Sequence, residues 1–397
     1  MKLAIVTTHP IQYNAPLFQL MAKEPGVDIR VFYTWSQSQG GAKYDHKFGR
    51  VIEWDIPLLE GYEHEFVENT ASDPGSHHFR GIQNPGLIAR IRQWNPDAIL
   101  IFGWSFRSHL ACLRYFNRKI PVIFRGDSNL LDEKPGYRKF IRRKLLSWVY
   151  SHVDFALYVG QANRAYFKAF GLRDEQLVFA PHAIDNDRFG REHDARKQEA
   201  MERRKALGIG ESDVVVMFAG KLEDKKDPGF LLRLAKVLNH PGIRFLLVGN
   251  GHLESRLKEE AAGYPGIQFM DFQNQQTMPV MYRLADLFIL HSVRNETWGL
   301  AVNEAMACGT PVIVSSKVGC APDLVVQGQT GWIFEPGESA ESDVAGILET
   351  LYRDRSLLST TGRQALIKVQ EYSFKAIAQS ISGLLHKTDN KSRIAAV

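Results

Sequence analysis

One stretch of sequence decides the fold of this chain: LHSVRNETWGLAVNEAMACGTPVIVSS, from Leu290 to Ser316. It holds one acid, Glu296, in a polar loop and a second, Glu304, in the apolar run that follows. That run has the composition of a helix, which we expect Thr297 to cap and the Gly-Thr-Pro step to end. PVIVSS then has the pattern of a short buried strand.

The same stretch places several polar groups where an anionic sugar derivative could bind. The amides of Gly299, Leu300 and Ala301 form an anion site at the positive end of the helix. Glu304 leans back toward that end, so two acids and three amides could serve one ligand. Alternatively, Glu296 is a solvated loop residue and Glu304 lies on an exposed helix face. The small and apolar residues after Glu304 favour a buried helix and hence a nucleotide-sugar site.

The order E-T-W-G-L-A-V-N-E-A-M-A-C-G-T-P-V-I-V resembles the E-x7-E signature of retaining glycosyltransferases of family 4, the glycosyltransferases group 1. The resemblance implies an α/β protein of the GT-B fold, with two Rossmann-like, doubly wound parallel-sheet domains facing a central cleft. It also implies that Glu304 binds the ribose hydroxyls of a nucleotide sugar, and that Glu296 contacts the transferred sugar and belongs to the catalytic set.

Both halves of the chain alternate short apolar strands with helical stretches, which predicts two parallel, doubly wound sheets. The first half has strands at Leu3–Thr7, Asp28–Tyr33 and Ala98–Phe102, and residues 36–78 read as irregular. The segment PHAIDNDRF resembles the end of the first domain in the family. We therefore predict an acceptor-binding domain at 1–185, a donor-binding domain at 186–372, and a C-terminal helix at 373–397 that crosses back to the first domain.

A candidate diphosphate site follows the first strand of the second half. Lys221 comes directly after the strand and Lys226 just before the next helix, where open α/β sheets bind their ligands. The pattern resembles the G-[RK]-L-x-x-x-K-G motif whose basic pair holds the donor diphosphate, although Lys221 replaces the commoner Arg and Asp227 the usual Gly. By the same resemblance Gly249 approaches the nucleotide. The alternative is a charged surface turn.

The first half offers fewer candidates. His9 and Tyr13 follow the first strand, and they are acceptor-side candidates or simply packed residues. Where the family often has a histidine that faces the transferred sugar, this chain has Arg125, followed by Gly126 and Asp127. Arg125 and Asp127 are therefore catalytic candidates beside Glu296 and Lys226.

The predicted reaction needs neither a metal nor a cofactor. We see no Asp-x-Asp arrangement of the kind that coordinates a divalent metal, so lysines and helix amides would stabilise the leaving nucleoside diphosphate. No G-x-G-x-x-G follows a predicted strand, which argues against a dinucleotide oxidoreductase. A GT-B nucleotide-sugar epimerase, a phosphorylase-like enzyme and a non-enzymatic membrane-surface protein stay open as alternatives.

The chain carries a net charge of +5, and the excess lies in its first half. Residues 107–144 hold 11 Lys/Arg and 3 Asp/Glu. The segment RKFIRRKLLSWVY (Arg138 to Tyr150), which begins inside this range and ends after it, mixes basic and apolar residues. This pattern indicates either an ordinary amphipathic surface helix or a face that contacts anionic lipid. No recognition motif accompanies the charge, so we expect no nucleic acid partner.

The chain of 397 residues is long enough for two domains with real cores. No apolar run approaches the ~18 residues that span a bilayer, MKLAIVTTHP reads as a first strand rather than a signal peptide, and the three cysteines fit a reducing compartment. We expect a cytoplasmic enzyme, peripheral on the inner face of the membrane. By resemblance it moves a sugar to a saccharide or lipid-linked acceptor in the synthesis of bacterial lipopolysaccharide, capsule or exopolysaccharide.

Overall fold

The computed structural model describes residues 1–39, 43–45, 50–133 and 136–395, and no side chains for 43–45, 50–52, 138 and 389–395. The chain divides into two compact units. Unit 1 contains Met1–Lys43, Ile56–His182 and Phe374–Val397, and unit 2 contains Tyr44–Asp55 and Ala183–Ser373. The main passage of the chain from unit 1 to unit 2 lies after residue 182, and the return lies at residue 374. The boundaries predicted from the sequence were 185/186 and 372/373.

Unit 1 is built on a seven-stranded sheet in the order β5-β2-β1-β6-β7-β8-β9, and all its neighbouring strands are parallel. Its strands are rich in Val, Ile and Phe and largely buried, as expected for a parallel sheet covered on both faces. The strands are β1 (Lys2–Thr7), β2 (Asp28–Tyr33), β5 (Glu63–Phe66), β6 (Ala98–Phe102), β7 (Val122–Arg125), β8 (Phe155–Tyr158) and β9 (Leu177–Phe179).

The helices of unit 1 connect these strands. They are α1 (Ala15–Met21), α2 (Leu87–Trp94), α3 (Arg107–Phe116), α4 (Tyr137–Tyr150), α5 (Gln161–Ala169) and the last helix of the chain, α15 (Phe374–Ala395). Helix α15 packs against α1 and β9. The chain therefore ends on the unit with which it began.

Unit 2 has a six-stranded parallel sheet in the order β12-β11-β10-β13-β14-β15. This order matches the doubly wound 3-2-1-4-5-6 arrangement of dinucleotide-binding folds, in which ligands bind where the strand order reverses. Here the reversal lies between β10 and β13. The strands are β10 (Val214–Ala219), β11 (Ile243–Val248), β12 (Ile267–Met270), β13 (Leu287–Leu290), β14 (Val312–Ser315) and β15 (Gly331–Phe334).

Nine helices of the described chain belong to unit 2. Helix α11 follows β13 and is buried from Val302 to Ala307. The helices are α6 (Asn186–Gly190), α7 (His193–Ala206), α8 (Gly229–Leu238), α9 (Glu254–Glu260), α10 (Met278–Leu284), α11 (Leu300–Ala307), α12 (Ala321–Leu324), α13 (Ala340–Arg353) and α14 (Ser356–Val369).

A short segment from the first half of the chain is part of unit 2. It contains the two-stranded sheet of β3 (Lys43–Asp45) and β4 (Arg50–Ile52). Its end is fixed because Gln276 donates its backbone N–H to the carboxylate of Asp55 at 3.1 Å, and Asn274 donates to the Glu53 carbonyl at 2.7 Å. The sequence pattern gave no indication of this attachment.

Two further findings concern the segment predicted to be irregular and the length of the apolar helices. Residues 36–78 were predicted to be irregular, which is wrong for β3 and β4, which pair with each other, and for Glu63–Phe66, where β5 pairs with β2; residues 40–42 and 46–49 lie outside the described part. Within the described chain, no helix is both long enough and apolar enough to span a bilayer.

Candidate functional site

The polar residues predicted to bind the donor lie at the switch point of unit 2. Lys221 follows β10, and the loop that holds Glu296 follows β13, the neighbouring strand. The two loops are joined where Val293 donates its backbone N–H to the Lys225 carbonyl at 2.9 Å. Residues separated by about 70 positions in the sequence are thus brought to the same edge of the sheet.

The central contact of the site is an ion pair between Lys226 and Glu296. The ammonium nitrogen of Lys226 lies 3.3 Å from Glu296 Oε2, and these side chains are only 15% and 11% exposed. Lys225 Nζ lies farther from the same oxygen, at 3.9 Å. Ser292 Oγ donates to Glu296 Oε2 at 3.4 Å. Because the Lys226–Glu296 pair is largely withdrawn from water, solvent and salt screen it less than an exposed pair.

Glycines allow the loops at this edge to approach each other closely. A Cβ atom on Gly249 would lie 2.1 Å from the Gly220 carbonyl oxygen, and Gly249 has a φ of +131°. Gly220 itself lies against Lys226, since a Cβ there would be 3.5 Å from the ammonium nitrogen. Only glycine fits at position 249 without moving the backbone that positions the lysine.

Helix α11 starts differently from the prediction. Thr297 was expected to cap it, but the N-cap is Gly299, with a φ of +96° and no capping side chain. The cap prediction is wrong because the loop turns through a left-handed glycine two residues later. The segment is pinned by Gly319, whose N–H donates to the Glu296 carbonyl at 3.0 Å, and by Trp298, whose indole N–H donates to Asn303 at 2.8 Å. The amides of Leu300 and Ala301 are in the first turn, which helix carbonyls cannot satisfy.

Glu304 is buried, at 4% exposure, as the small residues after it indicated. The hydroxyl of Tyr282 in α10 donates to Glu304 Oε2 at 2.8 Å. Sequence reasoning missed Tyr282, because it lies 22 positions upstream on another helix and carries no motif of its own. Its hydroxyl fixes the direction of the carboxylate before any ligand arrives.

The Asp at position 227, which departs from the family glycine, has a structural explanation. Asp227 adopts a left-handed φ of 36°, which Asp tolerates better than most residues. Its carboxylate is 2.7 Å from Arg233 Nη2 and 3.2 Å from His291 Nδ1. Burial raises the pKa of Asp227, but the contacts with His291 and Arg233 outweigh it, so the pKa is lowered. The Arg233 ion pair and the His291 contact thus hold the side chain of this non-glycine residue in place next to Lys226.

The acceptor-side candidates lie at the corresponding edge of unit 1. His9 and Tyr13 are in the loop between β1 and α1, and β1 and β6 flank the point where that strand order reverses. His9 Nδ1 is 2.9 Å from Thr8 Oγ1, and its ring packs edge-on against Trp35 at 5.3 Å between centroids. Both residues are half-buried. Their position agrees with a binding role, which stays a prediction.

Arg125 is engaged within unit 1. It ends β7, is 6% exposed, and donates to the carbonyls of Ala180 and Pro181 at 2.8 Å each. Burial lowers its pKa to about 10, against the opposing charge of Asp127. The carboxylate of Asp127 lies 3.6 Å from the imidazole of His182, which sequence reasoning did not single out. The catalytic roles of Arg125 and Asp127 stay predictions, and the geometry gives Arg125 a visible role in holding the segment before residue 183.

Asp185 and Asp187 form an Asp-x-Asp sequence, and both carboxylates contact groups of helix α6 or its end. Asp185 accepts from the Arg188 N–H at 3.0 Å and so caps α6, while Asp187 is directed toward Arg191 at 3.9 Å. The Asp185 carboxylate therefore caps the start of α6, and the Asp187 carboxylate faces the arginine that follows its end.

Helix α4, which contains the predicted membrane face, presents apolar side chains to solvent. Tyr137 is 73% exposed, Phe140 65% and Ile141 61%. Leu146 and Val149 on the opposite face pack into the core. Among the basic residues, Lys139 and Arg142 lie 2.8 and 3.3 Å from Glu133; the side chain of Arg138 lies outside the described part.

Two doubly wound parallel sheets, each with a switch point, are the architecture of the GT-B class, and the unit 2 switch point brings lysines and carboxylates together. Comparison with a solved structure agrees: the chain is similar to Anabaena Alr3699/HepE, crystallised in complex with UDP and glucose, with a TM-score of 0.70 and 19% identity over 98% of this chain and 100% of that one. At this identity the similarity shows the fold alone, and the predicted GT-B fold is confirmed.

Residues 200–366 match the family model of glycosyl transferases group 1, the family that the sequence resembles. It is 30% identical over 209 residues to D-inositol 3-phosphate glycosyltransferase of Geodermatophilus obscurus, covering 49% of this chain and 44% of that protein. It is 29% identical over 314 residues to sulfoquinovosyl transferase SQD2 of Arabidopsis thaliana, covering 75% and 58%. The matches therefore span about half the length of these relatives.

Proposed function

We propose that the protein is a retaining, metal-independent glycosyltransferase that moves a sugar from a nucleoside diphosphate to a saccharide or lipid-linked acceptor. The observation that carries this proposal is the contact between Lys226 and Glu296 at the switch point of unit 2. A cation and an acid in contact, beside the N-terminus of α11, supply one group for phosphate and one for sugar hydroxyls. The family domain at residues 200–366 supports the same assignment.

Donor binding exchanges the partners of this ion pair. Before binding, Glu296 neutralises the half-buried Lys226. An arriving diphosphate takes over Lys226, together with Lys221 and the first-turn amides of α11. Glu296 is then released to accept hydrogen bonds from hydroxyls of the transferred sugar. Glu304, oriented by Tyr282, accepts from the ribose hydroxyls.

The chemical step breaks the anomeric C–O bond to the diphosphate and forms a C–O bond to the acceptor oxygen. Negative charge grows on the leaving diphosphate, where Lys226 and Lys221 stabilise it more strongly in the transition state than in the ground state. The acceptor proton passes to the leaving phosphate on the same face of the sugar, which gives retention of configuration. No metal or cofactor takes part in this scheme.

The acceptor is proposed to lie at the inner face of the cell membrane, as in assembly of a bacterial surface polysaccharide. The observation that supports this proposal is helix α4 of unit 1, in which the exposed side chains of Tyr137, Phe140 and Ile141 lie among basic residues. Aromatic and aliphatic groups enter the headgroup region while cations meet anionic lipid. The unit proposed to hold the acceptor would thereby be brought to its substrate.

A donor screen tests the proposal. UDP-, GDP- and ADP-sugars are added separately while thermal unfolding is followed, because a ligand at 100 times its Kd stabilises the folded state by about 2.7 kcal/mol. We expect one nucleotide to raise the Tm of the wild type, and Lys226→Ala to lose most of that shift. Lys225→Ala is the matched control, since its ammonium lies farther from Glu296.

The products decide between transfer and epimerisation. With the stabilising donor but without acceptor, we expect only slow hydrolysis, whereas turnover to an epimeric nucleotide sugar would overturn the proposal in favour of an epimerase. If no nucleotide sugar raised the Tm, or if Lys226→Ala kept the full shift, the assignment of the donor site would be wrong.

A further inference from the structure

Unit 1 contains a cluster of metal-ligating side chains that the proposed transfer reaction does not use. It lies in the loop between β5 and α2, where Asp73, His77 and His78 face one another. His77 Nε2 is 3.3 Å and His78 Nε2 3.2 Å from the same oxygen, Oδ2 of Asp73. The potential ligand atoms all lie within 4.8 Å of one another, and this is the one such group of three in the described part of the chain.

The spacing of these atoms suits a tetrahedral metal. Zinc binds histidine nitrogen and carboxylate oxygen at about 2.0–2.2 Å, so neighbouring ligands of a tetrahedral ion lie about 3.3–3.6 Å apart. The two nitrogen–oxygen distances are already at or just below this spacing. The imidazole rings pack edge-on, with centroids 4.5 Å apart, so a modest rotation brings both nitrogens to one ion.

The base of the loop is fixed by two buried asparagines, Asn69 and Asn84. Asn69 donates to the Gly81 carbonyl at 2.9 Å and accepts from the Gln83 N–H at 2.8 Å. Asn84 donates to the carbonyls of Val67 and Glu68 at 2.9 Å each. A loop held at its base loses less conformational freedom when its tip binds an ion, which favours binding.

Two glycines shape the tip of the loop. Gly75 donates its N–H to the Gly81 carbonyl at 3.0 Å, and a Cβ on Gly81 would lie 2.1 Å from the Gly75 oxygen. A Cβ on Gly75 would lie 2.5 Å from Nδ1 of His77. The His77 ring therefore takes its present position because residue 75 has no side chain.

We propose that Asp73, His77 and His78 bind one divalent transition-metal ion, preferentially Zn²⁺, with water as a further ligand. Two imidazoles and one carboxylate suit zinc better than Mg²⁺ or Ca²⁺, which prefer oxygen ligands. The side chains are 63%, 71% and 35% exposed for His77, Asp73 and His78, so solvent reaches the ion. The ion clips the loop closed and takes no part in sugar transfer.

The competing explanation is an exposed histidine–aspartate contact without metal. Such surface pairs are common and contribute little to stability. Nε2 of His78 also lies 3.1 Å from the Asp73 carbonyl oxygen, and it must give up that contact to bind an ion. A titration with the metal alone separates the two cases.

Calorimetric titration of the full chain with Zn²⁺ should show one site per chain that is tighter than general surface binding. His77→Ala, His78→Ala and Asp73→Asn should each weaken it at least tenfold. His386→Ala is the matched control, because that exposed ring on α15 bonds to the Ser382 carbonyl and faces no such cluster. Gly75→Ala keeps all three ligands but displaces the His77 ring, and it should also weaken binding.

Co²⁺ provides a spectroscopic test, because a tetrahedral site gives an intense visible spectrum and an octahedral aquo ion does not. We expect that spectrum with the wild type and its loss in His77→Ala and Asp73→Asn. Zn²⁺ binding that is unchanged in all three ligand variants, or the absence of a one-site isotherm, would overturn the proposal. Sugar transfer should be equal in wild type and His77→Ala, so the failure of this site and the failure of the donor site are distinguishable.

Discussion

The sheets of the two units share one topology, yet their switch points carry different chemistry. In unit 2 the loops after β10 and β13 bring Lys226 and Glu296 into direct contact, 3.3 Å apart. In unit 1 the loop after β1 carries His9, which contacts Thr8 and packs on Trp35, and Arg125, at the end of β7, is held by two backbone carbonyls.

This difference teaches that the topology fixes where a ligand binds, while side-chain charge fixes which ligand. Both sheets reverse their strand order at one point, and both therefore expose strand ends and loops there. Only the unit 2 edge joins lysines, a carboxylate and a helix N-terminus within its described residues, which suits a diphosphate. The unit 1 edge offers aromatic and imidazole groups, which suit a sugar ring.

The largest expected effect is at the unit 2 switch point. Lys226→Ala and Glu304→Gln should each lower kcat/KM by roughly 10²-fold or more, a loss of about 2.7 kcal/mol in transition-state stabilisation. Glu304→Gln keeps an oxygen that can accept from Tyr282, so the fold should persist. Steady-state kinetics with the identified donor measure the effect.

Lys225→Ala serves as the control for that comparison, with a much smaller expected loss. Near wild-type transfer by both Lys226→Ala and Glu304→Gln would show that unit 2 does not stabilise the donor through these residues. The proposed difference in function between the two switch points would then be wrong.

The next effect concerns unit 1 and its basic, apolar helix. Changing Arg138, Lys139, Arg142 and Arg143 to Ser should weaken sedimentation with anionic vesicles at least tenfold, since each near-surface cation contributes about 1 kcal/mol. The expected loss is smaller than four independent cations would give, because Lys139 and Arg142 already contact Glu133. Salt should weaken the wild type as well.

Two further variants separate the contribution of apolar side chains from that of charge in the vesicle experiment. Phe140→Ser with Ile141→Ser should reduce binding without changing charge. A matched control changes Lys197, Lys205, Lys236 and Lys258 in unit 2 to Ser and so removes the same charge. It should bind anionic vesicles as the wild type does. Equal pelleting of the protein with neutral and with anionic vesicles would show that α4 is an ordinary surface helix and not a membrane-binding face.

A smaller effect is expected at Asp227, beside the phosphate loop. Asp227→Asn should lower the free energy of unfolding at neutral pH by about 1.5–3 kcal/mol, the range for hydrogen bonds to charged groups. Asn tolerates the left-handed φ of 36°, so the loss reports the contacts with Arg233 and His291. Chemical denaturation at several pH values measures it.

The pH dependence of this difference has a defined sign. The folded-state pKa of Asp227 is lowered from its ordinary value of 3.8, so its contribution to stability is present above that value and is lost as pH falls through the lower folded pKa. Wild type and Asp227→Asn should therefore converge in strongly acidic solution. A difference that stays constant down to that pH would assign the effect to the backbone.

The smallest expected effect is that of chelation on transfer. EDTA should leave the transfer rate unchanged, because lysines and helix amides stabilise the phosphate charge. If a Zn²⁺ ion occupies the loop of unit 1, EDTA should lower only the Tm. Loss of transfer with rescue by Mn²⁺ or Mg²⁺ would contradict the proposed mechanism and would require a metal at the unit 2 switch point.

Much of the architecture was readable from local pattern. The strands Asp28–Tyr33 and Ala98–Phe102 lie where the sequence predicted them, and β1 begins one residue before its predicted start at Leu3. β5 was missed because Glu63–Phe66 is polar and half-exposed at the edge of its sheet. Thr297 was misjudged as a cap because the left-handed turn at Gly299 depends on contacts with the segment around Gly319.

What the sequence by itself determined was the order of βα units, the resemblance to a family and the polar residues at strand ends, because these depend on neighbours within a few positions. Tertiary structure alone decided which of them meet: Lys226 with Glu296, Tyr282 with Glu304, and Asp227 with His291 and Arg233. It likewise turned Arg125 toward Ala180 and Pro181. These contacts join residues 6 to 70 positions apart, and strand order and loop packing fix them.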